Sequence, residues 1–263
     1  MKKSVIKLGS KGELVRYLQE ILKSLGHLEL VIDGDFGKRT ELAVKDFQKL
    51  NNLGVDGIVG SKTWELLEKN SLSITEADYK RAAYELGVEV AVIKAVKEVE
   101  TGGRGGFLSP GRPVILFEGH IFWKELVKRN IDPSQYARGN EEILYQKWTK
   151  SHYLGGTKEY YRLERAINID RDSALCSASW GLFQIMGFNY KSCGCKSIEE
   201  FVSKSKQSEG DQLDLFVEFI KSNKLEEYLR EKDWAGFARK YNGPSYSENK
   251  YDEKLEKAYK KYH

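Results

Sequence analysis

The chain has 263 residues, 40% of them hydrophobic and 12% aromatic, which is enough to build a packed core in one large or two small domains and excludes intrinsic disorder. Its 43 basic and 39 acidic side chains give a net charge of +4 with no basic stripe, so we expect no nucleic-acid partner. No apolar run reaches the roughly 20 residues that a membrane helix needs, and we expect no membrane insertion.

The N-terminal segment, residues 1–7, has the charge of a signal peptide but no apolar region behind it. We therefore expect that the protein is made in the cytoplasm without a signal peptide. A first helix is predicted after this segment, and Ser10 and Glu13 have the spacing of a capping box at its start. Its apolar face consists of Leu14, Tyr17, Leu18, Ile21, Leu22 and Leu25.

An internal repeat comes next, because the pattern D-G-x-x-G-x-x-T occurs at residues 33–40 and again at residues 56–63. The glycines suit a tight turn with positive φ, and Thr or Ser can cap a helix that follows. Helices are predicted at residues 40–50 and 61–67. Two aspartates in the first copy suggest a calcium loop, but the later ligands of an EF-hand are absent.

The paired motifs and the order of the helices resemble the small peptidoglycan-binding domain found at the ends of cell-wall hydrolases. This resemblance covers residues 1–70, about the first quarter of the chain, and implies peptidoglycan as a partner. The alternative is a generic three-helix module that happens to contain two similar turns.

The remainder of the chain is predicted to be mainly helical. After a short linker at residues 70–73, one helix begins at Thr75 and ends at Gly87, and another spans residues 88–100. A strand is predicted at residues 113–122, and residues 130–165 show too little periodicity to assign. Three apolar stripes predict the later helices: Leu213, Phe216, Val217 and Ile220; Trp234, Phe237, Ala238 and Tyr241; and Tyr251, Leu255, Ala258, Tyr259 and Tyr262.

Glu100 is the most informative single residue. With Val96 at zero on a helical wheel, Glu100 falls at about +40°, inside the apolar wedge, whereas Glu98 lies on the far side with Lys94 and Lys97. Burial raises the pKa of a carboxyl, and the negative end of a helix acts in the same direction. These are the conditions that a general acid needs near neutral pH. The alternative is a glutamate of the last turn that frays into solvent at the following glycines.

Three short segments resemble the lysozyme-like enzymes that degrade cell walls. Residues 177–187, with Gly181-Leu182-Phe183-Gln184-Ile185, resemble their Gly-Leu-Met-Gln-Ile stretch, and residues 240–243 resemble their Tyr-Asn segment. Residues 100–103 resemble their catalytic Glu-Ser/Thr motif, and also a motif of one class of chitinases. As a whole, residues 75–263 resemble the N-acetylmuramidase domain of modular bacteriophage endolysins.

The resemblance implies that Glu100 is the catalytic acid and that Gln184, Tyr241 and Asn242 hold the sugar. Tyr241 is also placed to pack within its own helix. Two further aromatic side chains, Trp180 and Phe183, have the chemistry to stack on sugars, but core packing is the favoured interpretation for both.

Glu118 is the candidate for a second catalytic carboxylate, because lysozyme-like enzymes and the chitinases carry their second acidic group on a hairpin after the acid helix. In the predicted strand it shares a face with His120, and it is interpreted as either functional or paired with Arg112 or His120. No aspartate occurs between Glu100 and Asp132, which departs from the pattern of many phage lysozymes.

The three cysteines, Cys176, Cys193 and Cys195, form no disulfide framework, and with four scattered histidines they show no zinc-site spacing. Reduced thiols are expected. We expect no metal and no cofactor.

The sequence thus predicts a mainly α protein: a three-helix peptidoglycan-binding module, residues 1–70, followed by a lysozyme-like α-helical domain with a small β-hairpin, residues 75–263. The predicted activity is cleavage of the β-1,4 bond between N-acetylmuramic acid and N-acetylglucosamine in the bacterial wall, by a monomer. The alternatives are a lytic transglycosylase that uses Glu100 alone and yields 1,6-anhydro products, a chitinase, and a non-catalytic wall-binding protein.

Overall fold

The computed structural model of the chain describes residues 4–27, 29–242 and 250–263, without the side chains of Lys69 and Asn242. The chain divides into two compact units, Met1–Thr75 and Glu76–His263. The first unit contains helices α1 (Glu13–Ser24), α2 (Lys38–Leu50) and α3 (Ser61–Asn70). Their apolar faces enclose one core, which consists of Ile6, Val15, Leu18, Ile21, Leu22, Leu30, Phe36, Ala43, Val44, Phe47, Val59, Trp64 and Leu67.

The predicted capping box at the start of α1 is wrong. The helix begins after Gly12, which has a φ of 108° and no side chain that could cap it. The Ser10 hydroxyl lies in the preceding turn, where it accepts a hydrogen bond from the backbone N–H of Lys7 at 3.0 Å. A hydroxyl used by this turn is not available to the first turn of the helix.

Each copy of the repeated turn is held by a buried glutamine from the preceding helix. The amide nitrogen of Gln48 donates to the Asp56 carboxylate at 2.8 Å, and its oxygen accepts from the backbone N–H of Gly57 at 2.9 Å. Gln19 makes the same two hydrogen bonds to Asp33 and Gly34 in the first copy. A backbone hydrogen bond and this amide together lower the pKa of both aspartates. The repeat is therefore structural in both copies.

Replacement of Gln48 by Leu should destabilise the first unit by about 2 kcal/mol, because it leaves the buried N–H of Gly57 without an acceptor. Amide hydrogen exchange of residues 40–60, measured on the full chain, should become faster while exchange in the second unit is unchanged. The control is Gln207→Leu, at an exposed position of the second unit. Equal exchange rates in the Gln48 variant and the natural chain would contradict the structural role of the glutamine.

The second unit consists of helices with two small antiparallel sheets, as predicted for the lysozyme-like part of the fold. Its helices are α4 (Glu76–Leu86), α5 (Val90–Thr101), α6 (Gly119–Lys128), α7 (Ser134–Ala137), α8 (Glu159–Ile167), α9 (Arg171–Cys176), α10 (Ile198–Ser205), α11 (Glu209–Ser222), α12 (Glu226–Arg230), α13 (Trp234–Asn242) and α14 (Tyr251–Tyr262). Strands β1 (Phe107–Ser109) and β2 (Arg112–Pro113) form a hairpin, and β3 (Ile115–Phe117), β4 (Ala178–Trp180) and β5 (Ile185–Met186) form a three-stranded sheet in that order.

The core of the second unit uses the predicted stripes. The four stripe residues of α11 are buried, and so are the first three of α13. Helix α5 packs against α4 and α14. In α14, Leu255 and Ala258 are buried, but Tyr262 is 38% exposed, so this helix covers α5 with one narrow face.

The predicted strand at residues 113–122 is only partly correct. Strand β3 ends at Phe117, and α6 starts two residues later, because the Glu118 carbonyl accepts hydrogen bonds from the N–H groups of Ile121 and Phe122. A Cβ atom at Gly119 would lie 2.4 Å from the Tyr145 ring, so the first residue of this helix has to be glycine. A short apolar run does not distinguish strand from helix, which explains the error.

Residues 130–165, which sequence periodicity left unassigned, are held in place by a buried ion pair at the start of α8. Arg162 and Glu159, 1% and 0% exposed, are 2.9 Å apart. Arg162 donates to the carbonyls of Phe117 and Glu142, and Glu159 accepts from the N–H groups of Phe117 and Leu154. The pair thus connects β3 to the irregular chain before α8.

All three cysteines are free and buried, and burial raises the pKa of the Cys176 thiol to about 11 and that of Cys193 to about 12. Both thiols therefore stay protonated at neutral pH. Among the described helices, none is long and apolar enough to span a membrane.

Candidate active site

A cavity of about 390 Å³ lies in the second unit, where the end of α5, the turn between β4 and β5, α11, α13 and the start of α14 meet. The residues that line it are Glu100, Phe183, Gln184, Ile185, Met186, Asn189, Phe219, Tyr241 and Tyr251. Three of the predicted site residues, Glu100, Gln184 and Tyr241, are therefore together in one cavity.

Glu100 lies in the last turn of α5 and is half-buried. Glu98, two residues earlier, points elsewhere, since its carboxylate binds Lys261 at 2.8 Å and the Tyr262 hydroxyl. The helix ends at Gly102 and Gly103, both with positive φ, and the Gly103 N–H is bound by the side-chain oxygen of Thr101 at 3.1 Å. The turn after Glu100 is thus a defined structure that leaves one side of the carboxylate to the cavity.

Two tyrosine hydroxyls face the same cavity as Glu100. Burial, and then the negative charge of Glu100, raises the pKa of Tyr241 well above its ordinary value, and the same two causes raise the pKa of Tyr251. Both hydroxyls therefore stay protonated and can act as donors. The Tyr241 ring also stacks on Phe237 with the ring centroids 5.4 Å apart, so Tyr241 packs in the core and lines the cavity at once.

Gln184 is held at the rim of the cavity by its own hydrogen bonds. Its amide nitrogen donates to the carbonyls of Gly181 and Val114 at 2.7 and 3.2 Å, and its oxygen accepts from the Ser179 hydroxyl at 2.8 Å. The backbone has a φ of 48°, in the left-handed region that non-glycine residues rarely adopt. Asn242 is the last residue of α13, and its side chain lies outside the described part of the chain.

Trp180 and Phe183, the two aromatic residues of the 177–187 segment singled out in the sequence, pack in the core as favoured there. Trp180 is 3% exposed, and its indole nitrogen donates to the Leu175 carbonyl at 3.1 Å. Phe183 is 4% exposed and stacks on Phe216, with the ring centroids 4.3 Å apart. Phe183 also forms part of the cavity wall.

Glu118 does not line this cavity. It precedes α6, its side chain is 14% exposed, and its carboxylate accepts a hydrogen bond from the Tyr153 hydroxyl at 2.7 Å. The other carboxylate oxygen lies 3.3 Å from the Nδ1 atom of His120. Burial lowers the pKa of His120, and this effect is larger than that of the negative charge of Glu118, which acts in the opposite direction. Of the two cations considered from the sequence, His120 is the neighbour; the guanidinium of Arg112 stacks on Tyr160 instead.

Other lining residues were not identified from the sequence. Tyr251 was assigned to a packing stripe of α14, and Phe219 to none. On a helical wheel, Phe219 lies about 60° beyond the edge of the apolar stripe of α11. A large aromatic side chain outside the buried face is the feature that could have identified it as a cavity residue. Asn189 follows β5 in a single 3₁₀ turn and carried no signal.

Within the described residues, no group of three or more His, Cys, Asp or Glu side chains is placed to hold a metal ion. The donors and acceptors around the cavity suit a polar, uncharged ligand held by hydrogen bonds, with one carboxyl group beside it.

Comparison with known proteins gives two family matches. The profile of the N-acetylmuramidase family matches residues 89–263, and that of a putative peptidoglycan-binding domain matches residues 11–67. Among solved structures, the crystal structure of an endolysin from Burkholderia phage AP3 is 41% identical, aligns over 98% of this chain and 99% of that chain, and gives a TM-score of 0.68.

Two curated relatives match over shorter segments. A spore cortex-lytic enzyme of Bacillus cereus is 43% identical over 65 residues, which are 25% of this chain and 25% of that protein. A zinc D-Ala-D-Ala carboxypeptidase of Streptomyces albus G is 43% identical over 60 residues, 21% of this chain and 23% of that protein. The chain thus spans about a quarter of the length of these relatives.

Proposed function

Because the chain belongs to the N-acetylmuramidase family, we propose that it cleaves the β-1,4 bond between N-acetylmuramic acid and N-acetylglucosamine with Glu100 as the general acid. The family membership makes it a lysozyme-type glycoside hydrolase that acts on cell-wall peptidoglycan, and its domain composition is that of a modular endolysin.

The position of Glu100 is the observation that carries this proposal. Among the described residues it is the only acidic side chain that lines the cavity, where protonated tyrosines and the Gln184 amide surround it. A glycosidic bond needs a proton on its leaving oxygen before it breaks, and a half-buried carboxyl at the end of a helix is suited to supply it. The neutral amide and hydroxyl groups would hold the hydroxyl and N-acetyl groups of the sugars.

Glu118 is the proposed second carboxylate, and it acts through water. Val114, whose carbonyl binds the rim residue Gln184, and Glu118 are four residues apart in nearly extended chain, or about 13 Å. Direct attack by the Glu118 carboxylate is therefore disfavoured, and its proposed role is to orient a water molecule. Its hydrogen bond from Tyr153 would fix the Glu118 carboxylate in position for that role.

One observation favours a second candidate, a lytic transglycosylase. A single acid in the cavity suffices for a reaction in which the carboxylate acts first as acid and then as base, and the 6-hydroxyl of the substrate attacks its own anomeric carbon. The product then carries a 1,6-anhydro ring and no new reducing end.

We further propose that residues 1–70 bind the wall and residues 75–263 cut it. Binding of the first unit to the insoluble polymer would keep the second unit at a high effective concentration of glycan strands. The resulting increase in the rate of wall degradation would be largest at low enzyme concentration, because the second unit alone would then be mostly unbound.

Mass spectrometry of the fragments released from purified peptidoglycan, with and without borohydride reduction, tests the proposal. We expect fragments with reducible N-acetylmuramic acid ends, which gain two hydrogens on reduction. Anhydro-muramic ends would establish the transglycosylase. Reducible N-acetylglucosamine ends would mean that the other glycosidic bond is cleaved and would contradict the proposal.

A further inference from the structure

A second cavity, of about 370 Å³, lies in the same unit beside β2 and α8. Its lining residues are Arg112, Thr157, Tyr160, Tyr161 and Glu164. The Tyr161 side chain is 70% exposed, so it is accessible to a ligand in this cavity. None of these residues takes part in the site proposed for bond cleavage.

The two charged residues of this cavity are not paired with each other. The Arg112 guanidinium lies 4.5 Å from the centre of the Tyr160 ring, which fixes its direction without neutralising its charge. Within the parts of the chain that the structure describes, neither Arg112 nor Glu164 forms an ion pair. A positive and a negative group therefore face one cavity with their charges available to a ligand that carries both signs.

The second cavity and the first are connected through two consecutive residues, Pro113 and Val114. The Tyr160 hydroxyl donates to the Pro113 carbonyl at 2.7 Å, and the Gln184 amide donates to the carbonyl of the next residue, Val114. Successive carbonyls of extended chain point to opposite sides. The two cavities therefore lie on either side of one short segment, which is the arrangement that a branched polymer needs if its chain is to occupy the first cavity and a branch the second.

We propose that this second cavity binds the peptide attached to N-acetylmuramic acid, so that the enzyme recognises the peptide branch as well as the sugars. The substrate class rests on the proposed function. The glycan near the scissile bond is neutral and has no use for two opposite charges, whereas the peptide carries carboxylates and an amino group. Arg112 binds a carboxylate, Glu164 the ammonium group, and the exposed ring of Tyr161 packs on the aliphatic part of the peptide.

The test compares kcat/KM on intact peptidoglycan with kcat/KM on glycan strands whose peptides have been removed by an amidase. We expect Arg112→Gln and Glu164→Gln each to lower the value about tenfold on intact peptidoglycan and to leave it unchanged on bare strands. Arg138→Gln, at an exposed arginine that lines neither cavity, is the matched control and should behave as the natural chain on both substrates. Thermal melting verifies that each variant is folded.

Two outcomes would overturn the proposal. No loss on intact peptidoglycan means that the cavity binds nothing relevant to cleavage, and an equal loss on both substrates means that it binds glycan. Titration of a synthetic wall peptide into the Glu100→Gln variant separates this inference from the proposed reaction, because it measures peptide binding without turnover. Binding that disappears with the additional Arg112→Gln change supports the cavity whatever products the enzyme makes.

Discussion

Replacement of Glu100 by Gln is expected to reduce the release of fragments from peptidoglycan by about 10²–10⁴-fold and to leave binding to cell walls unchanged. Glutamine has nearly the same shape, so the cavity with its two tyrosines should persist, but it supplies no proton to the leaving oxygen. Turbidity clearing measures the first quantity, and co-sedimentation of the protein with walls measures the second. Equal loss of both activities would mean that the substitution acts through folding or binding rather than through the reaction.

Glu98→Gln is the matched control, because it makes the same chemical change two residues away on the same helix. Its carboxylate binds Lys261 and Tyr262 at the surface of α14, where hydrogen-bonded ion pairs contribute about 1 kcal/mol or less. We expect cleavage within about twofold of the natural chain. Loss of activity in this variant comparable to that of Glu100→Gln would remove the case for Glu100 as the acid.

Replacement of Arg162 by Met should lower the stability of the second unit by about 3–5 kcal/mol, because it leaves the fully buried Glu159 carboxylate without its counter-ion. For a unit of this size the expected fall in Tm is about 6–20 °C. Differential scanning calorimetry at neutral pH measures the effect. The double variant Glu159→Leu/Arg162→Met should recover part of the loss, because it removes the uncompensated charge.

A second ion pair made by α8, one turn further along, provides the control for this experiment. Arg165 binds Glu142 at 2.9 Å, but the two side chains are 40% and 64% exposed. Glu142→Gln should therefore change the stability by less than about 1 kcal/mol. A fall in Tm for Glu142→Gln that matched the fall for Arg162→Met would show that burial of the charge is not what makes the inner pair important.

The parts of the fold that follow from local patterns could be predicted from the sequence. The three-helix unit was visible because its apolar faces repeat with the period of a helix and its turns repeat in sequence. The inward direction of Glu100 followed from the same periodicity, since the residues around it on the wheel are apolar. Each of these inferences needs only neighbours within a few residues.

The features that could not be predicted depend on residues far apart in the chain. Gln19 lies 14 residues before the aspartate it binds, and Gln48 lies only eight before its own, so the shared glutamine shows no fixed spacing. The end of β3 depends on Tyr145 and on the ion pair at the start of α8. Sequence periodicity does not show that these distant residues contact the end of the strand. Whether Glu118 reaches the substrate is a question of the same kind, since it is set by distance across the fold.

At position 184, thermal stability and function favour different residues. A left-handed backbone at a residue with a side chain raises the free energy of the folded state by about 1 kcal/mol or more, and glycine there would remove that penalty. Glycine would also remove the amide that connects Ser179 of β4 and Val114, which lies between the two cavities, to the rim of the first cavity. Selection of variants for heat resistance alone would therefore favour a substitution at this position that removes the Gln184 amide from the rim. A screen for a heat-resistant enzyme has to measure wall degradation as well as the fraction of protein that stays folded after heating.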